Sequence, residues 1–389
     1  MLISVLIAVI HGLGIGLTAV AAGYACAVLY AVVRASSASS RINDIHRGGA
    51  DQVQPVSVLK PLHGAEPGLH ENLRSFCLQQ HPDYQLVFGV RELDDPAIDI
   101  VQKLRAEFPR LDIALVVDPR THGTNPKVSN LINMLPHAAH SLLVLADSDI
   151  RVPVDYLARV TAPLANPDVG IVTCLYRGIA RCGFWSRLGR LFIDDWFAPS
   201  VRLAHAFGST RFAFGSTIAL RRDTLSAIGG FEVLRDTLAD DFWLGELTRQ
   251  RQLRTVLSDL VIGTEIVEDR FDTLWTHELR WLRTIRAIAP IGFAMTWVCF
   301  TSPVLLLGLA LEFSSLNIGM ALIGCIARVL LYFFQRRFAH EASPWYEALL
   351  IPLRDGLLLL EWATALTSWQ VKWRGEVLHA RGDGHAPHY

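Results

Sequence analysis

The sequence predicts an α/β fold, a parallel sheet covered by helices on both faces, held between two apolar ends. Three observations carry that prediction. From Val56 onward, short β-branched or apolar runs alternate with helical segments, the pattern of a sheet whose strands are buried on both sides. The 73 charged residues are unevenly spread, with none in 1–33, 59 in 34–286 and 14 in 287–389. The middle part is therefore about 23% charged, close to an ordinary soluble domain, although the whole chain is 19% charged and 51% hydrophobic. The expected organisation is a transmembrane anchor at 1–33, a cytosolic domain at 34–286, and a C-terminal membrane region at 287–389 with two or three apolar segments and a short tail.

Residues 2–33 are uncharged and long enough to cross a bilayer, which takes about 20 apolar residues. A secretory signal would carry basic residues ahead of the apolar run, whereas Arg34, Arg41 and Arg47 follow it, so an uncleaved anchor is expected. The positive-inside rule then puts the middle domain in the cytosol. Four Lys against 32 Arg point to a GC-rich bacterial gene, and so to a bacterial inner membrane. The Ser/Arg/Gly stretch 35–50 reads as a linker.

The soluble part opens with VSVLK (56–60), a helix over 68–79, YQLVFGV (84–90), a helix over 96–107, DIALVV (112–117), a helix over 127–134 and SLLVLA (141–146). Sheets of this kind bind ligands at the carboxyl ends of their strands. GFWSRLGRLFIDDWF (183–197) and 272–286 are amphipathic, and each is either a core-facing helix or one lying in the membrane interface. Beyond them, 288–311 and 317–334 are expected spans, flanked by Arg280, Arg283 and Arg286 and by Arg336 and Arg337. The stretch 347–370 is interrupted by Arg354, Asp355 and Glu361; it either crosses, re-enters or lies at the interface.

A net charge of −1 provides no basic face, so no nucleic-acid partner is expected. The six Cys are scattered without CxxC pairing, which argues against a disulfide framework and a zinc site.

Four groups of residues and one further lysine could carry chemistry. Asp147 and Asp149 emerge after the apolar run SLLVLA and form either a surface turn or a pair of oxygen ligands for a hard divalent cation. Glu92, Asp94 and Asp95 follow YQLVFGV, either as a solvated loop capping the next helix or as a second acidic cluster at the same edge. Lys127 opens a helix, where an ammonium and N-terminal amides together can hold an anion such as a diphosphate. Asp240 and Asp241 start an amphipathic segment, as an N-cap or as a general base. His277, Arg280 and Trp281 lie within HELRW on a helix, as a membrane-flanking belt or as a ligand-facing set.

In order and spacing these motifs resemble the family 2 inverting glycosyltransferases of GT-A fold. More narrowly, SVLKPLHG, ELDDPAID, NPKVSNL, ADSDIRV, ADDFW and HELRW look like ceramide glucosyltransferases and bacterial hopanoid-associated glycosyltransferases. The resemblance covers about residues 53–285. It implies a Rossmann-like GT-A domain in which Glu92 and Asp94 lie near the nucleotide, and Asp147 and Asp149 hold Mg²⁺ or Mn²⁺ on the diphosphate. Asp241 is then the catalytic base, and Arg280 and Trp281 match the RW of the (Q/R)xxRW element. Glu92 stands where the family usually shows Asp. His277 replaces the usual Gln or Arg, which sets the chain apart from processive synthases.

The implied activity is transfer of a hexose, glucose or N-acetylglucosamine, from a UDP-sugar to a hydroxyl of a membrane lipid such as a hopanoid or ceramide. Transfer to a polyprenyl phosphate, which needs no base, and a non-catalytic membrane scaffold are the alternatives.

Overall fold

A computed structural model of the chain describes residues 1–45, 54–338, 344–373 and 376–379. Arg47, the end of the expected linker and the tail from 380 lie outside these residues, as do the side chains of Arg41 and Arg337. The chain forms two compact units. One holds the described residues within 1–47, 180–208 and 268–382; the other holds those within 48–179 and 209–267.

The second unit is built on an eight-stranded sheet. Its strands are β1 (Val56–Pro61), β2 (Tyr84–Val90), β3 (Asp112–Val117), β4 (Leu142–Leu145), β5 (Ile150–Arg151), β6 (Val169–Ala180), β7 (Ile218–Arg221) and β8 (Arg254–Ile266), in the order β3-β2-β1-β4-β7-β6-β8-β5. The first four are parallel, as expected. The sheet is not parallel throughout, however: β7 runs antiparallel to both β4 and β6, and β5 antiparallel to β8. The sequence pattern does not show this half because β5 and β7, at two and four residues, are too short to display a period.

Alternation along the strands feeds two cores. Val56, Val58, Leu86, Phe88 and Val144 pack with Leu73 and Phe76 of helix Leu69–Cys77 and Val101 and Leu104 of helix Ala97–Glu107. Leu59, Val87, Leu143 and Leu145 pack on the other face with Val128 and Leu131 of helix Pro126–Met134 and Leu244 and Leu247 of helix Asp240–Gln250. Period-two burial on both faces is what a helix-covered sheet requires. Gly89 permits one close approach, since a Cβ there would fall 2.3 Å from Met134 Sδ. The chain leaves β1 toward β2 on one side and returns to β4 on the other. A crevice therefore opens at the carboxyl ends of β1 and β4, the usual ligand position in such sheets.

The first unit is helical. Helix Leu2–Ile45 runs through the first part of the expected linker, and its portion Leu2–Ala35 is long and apolar enough to cross a membrane; so is Ser315–Arg336. Small residues line their packing: Ala21, Ala22 and Ala321 meet Val304 and Leu305, and a Cβ on Gly14 would fall 2.9 Å from Gly308 O. The expected span 288–311 is broken, with Pro290–Cys299 and Thr301–Leu311 bent by 66°.

The interrupted stretch becomes a 3-10 turn, Trp345–Leu350, followed by a 15-residue helix, Ile351–Ala365. Its charges are buried and paired. Arg354 bonds Glu278 at 2.9 and 3.1 Å and also Glu361, while Asp355 accepts from Arg328 at 2.8 Å and from Ser302. The segment 183–197 is helical to Phe192 and then forms a π-turn, Ile193–Phe197, whose carbonyls at 194 and 195 accept from Gln335 and Arg328.

Candidate active site

In the α/β unit, three chain segments deliver charge to one point. Asp147 stands two residues beyond β4. Lys127 lies in the first turn of helix Pro126–Met134, which Asn125 caps by accepting from the amides of Lys127 and Val128 at 2.9 and 3.1 Å. Asp240 and Asp241 begin helix Asp240–Gln250, whose N-cap is Ala239 rather than either Asp. The first cap is tied to the loop that leads into the second helix, because Asn125 Nδ2 donates to Thr237 O at 2.8 Å. Gly215 marks the point of convergence: a Cβ there would lie 3.0 Å from Lys127 Nζ, 3.2 Å from Asp147 Oδ2 and 3.5 Å from Asp241 Oδ2.

The polar contacts are short. Lys127 Nζ pairs with Asp147 Oδ1 at 2.7 Å and Asp240 Oδ2 at 3.5 Å. Asp241 accepts from the amides of Gly215 (2.9 Å) and Phe242 (2.8 Å). Burial pushes the Asp241 carboxyl up to about 6, with Asp240 adding repulsion and Lys127 and the two amides opposing. For Lys127 burial disfavours the ammonium, but Asp147, Asp240 and Asp241 outweigh it and hold the group above its ordinary range. An apolar floor of Val128, Leu131, Leu145, Ile218, Phe231 and Leu244 lies beneath.

Asp149 is half-buried and accepts from Thr264 Oγ1 at 2.6 Å. Burial, then the neighbouring Asp147 charge, raises it to about 6, with the Thr264 bond opposing. Among the described residues no group of three or more His, Cys, Asp or Glu is placed to hold a metal ion. Asp147 and Asp149, two residues apart, offer carboxylate oxygens only. That donor set suits Mg²⁺ or Mn²⁺, which complete their coordination with water and substrate phosphate.

Of the residues predicted from sequence, the structure gathers Lys127, Asp147 and Asp241, with Asp149 two residues along. The side chains of Glu92 and Asp94 are exposed and bonded to none of these. Their buried neighbour Asp95 accepts from Gly64 N at 3.0 Å and Ala97 N at 2.8 Å, tying the loop after β1 to the start of a helix. His277, Arg280 and Trp281 lie in the helical unit on Phe271–Ile288, where His277 bonds Glu268 and the Trp281 ring packs on His277 and Phe192 at 4.6 and 5.6 Å. Sequence reading misses Lys60, Gly215 and Thr264. Lys60 leaves a signal, a cation in the buried register of VSVLK. The other two are 26 and 115 residues from their partners and leave none.

A half-parallel sheet with a DxD at its switch point and a second acidic pair beside it defines a glycosyltransferase of the GT-A type. More narrowly, the chain belongs to glycosyl transferase family 21, whose family model matches residues 17–386. The chain is 24% identical over 377 residues to ceramide glucosyltransferase 3 of Caenorhabditis elegans, covering 92% of this chain and 80% of that one. It is 25% identical over 201 residues to a β-monoglucosyldiacylglycerol synthase of Synechocystis, covering 49% and 39%. Among solved structures, a mannosyltransferase of Pyrobaculum calidifontis in complex with GDP-mannose and Mn²⁺ matches with a TM-score of 0.50 at 18% identity, over 90% of this chain and 99% of that one. At that identity the likeness is one of fold.

Proposed function

We propose that this glycosyltransferase moves glucose from UDP-glucose to a hydroxyl of a membrane lipid, with inversion at the anomeric carbon. The convergence of Lys127, Asp147 and Asp241 on Gly215 carries the reading, because it brings together a cation, a metal-ligand candidate and a candidate base. Relatives named for ceramide and diacylglycerol glucosylation favour glucose over N-acetylglucosamine and a neutral lipid hydroxyl over a polyprenyl phosphate.

Asp147 and Asp149 would hold Mg²⁺ or Mn²⁺, which supplies positive charge to the diphosphate as it departs. Asp241 takes the proton of the lipid hydroxyl while its oxygen attacks the anomeric carbon and the bond to the diphosphate breaks. The Gly215 and Phe242 amides fix that carboxylate in place. Lys127 adds a cation at the same edge. Glu92 and Asp94 on the nucleotide side, and His277, Arg280 and Trp281 on the diphosphate and acceptor side, are assigned by the resemblance alone. The two candidate spans hold the enzyme where its acceptor resides, and Arg34, Arg280, Arg283 and Arg286 orient the α/β unit to the cytosol.

The test is transfer by the full chain in lipid nanodiscs, with labelled UDP-glucose and UDP-N-acetylglucosamine offered against ceramide, diacylglycerol, a hopanoid and a polyprenyl phosphate. A glucolipid of inverted configuration, lost with EDTA and restored by Mn²⁺, is expected. Product on the polyprenyl phosphate alone, or no UDP binding at all, would overturn the reading.

A further inference from the structure

Lys60 is a fully buried lysine that the mechanism above leaves unused. It occupies β1 in the register of Val56 and Val58, so its stem runs into the core beneath helix Leu69–Cys77, and its ammonium sits 3.7 Å from the centre of the Phe76 ring. A lysine there is costly unless its head finds a partner. It finds one: Nζ donates to the main-chain carbonyl of Asp147 at 2.6 Å.

That carbonyl lies in the turn between β4 and β5 that carries both Asp147 and Asp149. Sheet bonds fasten the turn on either side, Ala146 N to Leu59 O at 3.1 Å and Glu265 N to Asp149 O at 3.1 Å. Lys60 supplies the bond between them.

We infer that Lys60 is a positioning residue for the DxD turn, setting the two carboxylates for the donor's diphosphate and its divalent cation while touching neither. The inference rests on the metal role proposed for Asp147 and Asp149. Partners that orient a metal's ligands typically change affinity by about 10–100-fold when removed.

The experiment titrates Mn²⁺ with UDP into the full-length protein in nanodiscs, read by the Mn²⁺ electron paramagnetic resonance signal and without turnover. Lys60→Met keeps the apolar stem and removes the donor; Phe76→Leu disturbs the same core and leaves the bond to Asp147. Lys60→Met is expected to bind Mn²⁺·UDP about tenfold or more weakly, and Phe76→Leu to stay within about twofold of wild type. If Lys60→Met fails to fold, Lys60→Gln serves as the donor-shortened variant with the same expectation. Wild-type affinity in the folded Lys60 variant, or an equal loss in Phe76→Leu, overturns the inference while the site reading stands. Wild-type protein that binds no Mn²⁺·UDP defeats the site reading and this inference with it.

Discussion

In the α/β unit four carboxylates, Asp147, Asp149, Asp240 and Asp241, crowd around Lys127 and the buried Lys60, and two of the four are raised to about 6. In the helical unit the most deeply buried of the described charges meet their opposites. Arg354 is clasped by Glu278 and Glu361 with 1%, 3% and 0% of the side chains exposed, Arg328 meets Asp355, Arg336 meets Asp195, and Arg190 meets Glu347. The difference separates two uses of charge. A surplus of one sign held half-buried keeps its repulsion, which a bound cation would relieve. A closed set in an apolar setting joins helices, because an unpaired ion there would be far costlier than a paired one.

The sharpest break of that comparison is Asp241→Asn. Removing one member of the acidic surplus relieves repulsion, so the protein should remain folded, with a melting temperature equal to or above wild type. Transfer should fall on the order of 10³-fold, as loss of a general base does. Retained turnover in the lipid assay would remove Asp241 from the chemistry.

Arg354→Met attacks the other kind of charge and should do the reverse. It leaves Glu278 and Glu361 buried without their cation, which costs about 3–5 kcal/mol of stability. The triple variant Arg354→Met, Glu278→Met, Glu361→Leu should recover most of that loss. Thermal unfolding in detergent distinguishes the outcomes, and a stable single variant would show that the clasp is structurally idle.

Much of this contrast is legible in the amino-acid sequence. The strand 84–90 has the bounds that its β-branched pattern predicts, and Asp147, Asp149, Lys127 and Asp241 stand out because strand ends and helix starts are visible in a sequence. Gly215 does not, since nothing local marks a residue whose importance lies in three charged atoms arriving from elsewhere. The break at Phe300 is hidden because an apolar run looks alike whether straight or bent. Arg354, Asp355 and Glu361 are visible as anomalies, but their partners Glu278, Arg328 and Ser302 are distant in sequence, so only the packing explains why they are tolerated.

Acidity pulls activity and stability of the α/β unit in opposite directions. Asp241 has an ordinary value of 3.8 and a folded value of about 6, so the unfolded chain gives up this proton first. Its charge therefore weighs on the fold fully above about 6 and not at all below about 4, and this group's contribution to stability grows as the pH falls through that window. A base at Asp241 acts in its charged form, so turnover should drop about tenfold per pH unit below 6. Melting of metal-free protein and initial rates, both followed from pH 7 to 5, should move oppositely in wild type. In Asp241→Asn the part of the melting shift owed to this group should vanish; an unchanged shift would place the titrating group elsewhere.

The gentlest probe is Thr264→Val, which keeps the shape of the side chain and deletes the 2.6 Å bond to Asp149 Oδ2. That bond holds the Asp149 carboxylate below the value that burial and Asp147 would otherwise impose. Without it Asp149 should rise further, and the Mn²⁺ concentration for half-maximal activity should increase by about tenfold, within the range seen when a ligand-orienting group is lost. At saturating Mn²⁺ the maximal rate should return to wild type, because Thr264 touches no reacting atom. A lowered maximal rate with an unchanged Mn²⁺ requirement would mean that Asp149 is not a ligand, and that the acidic surplus at this edge serves some purpose other than a cation.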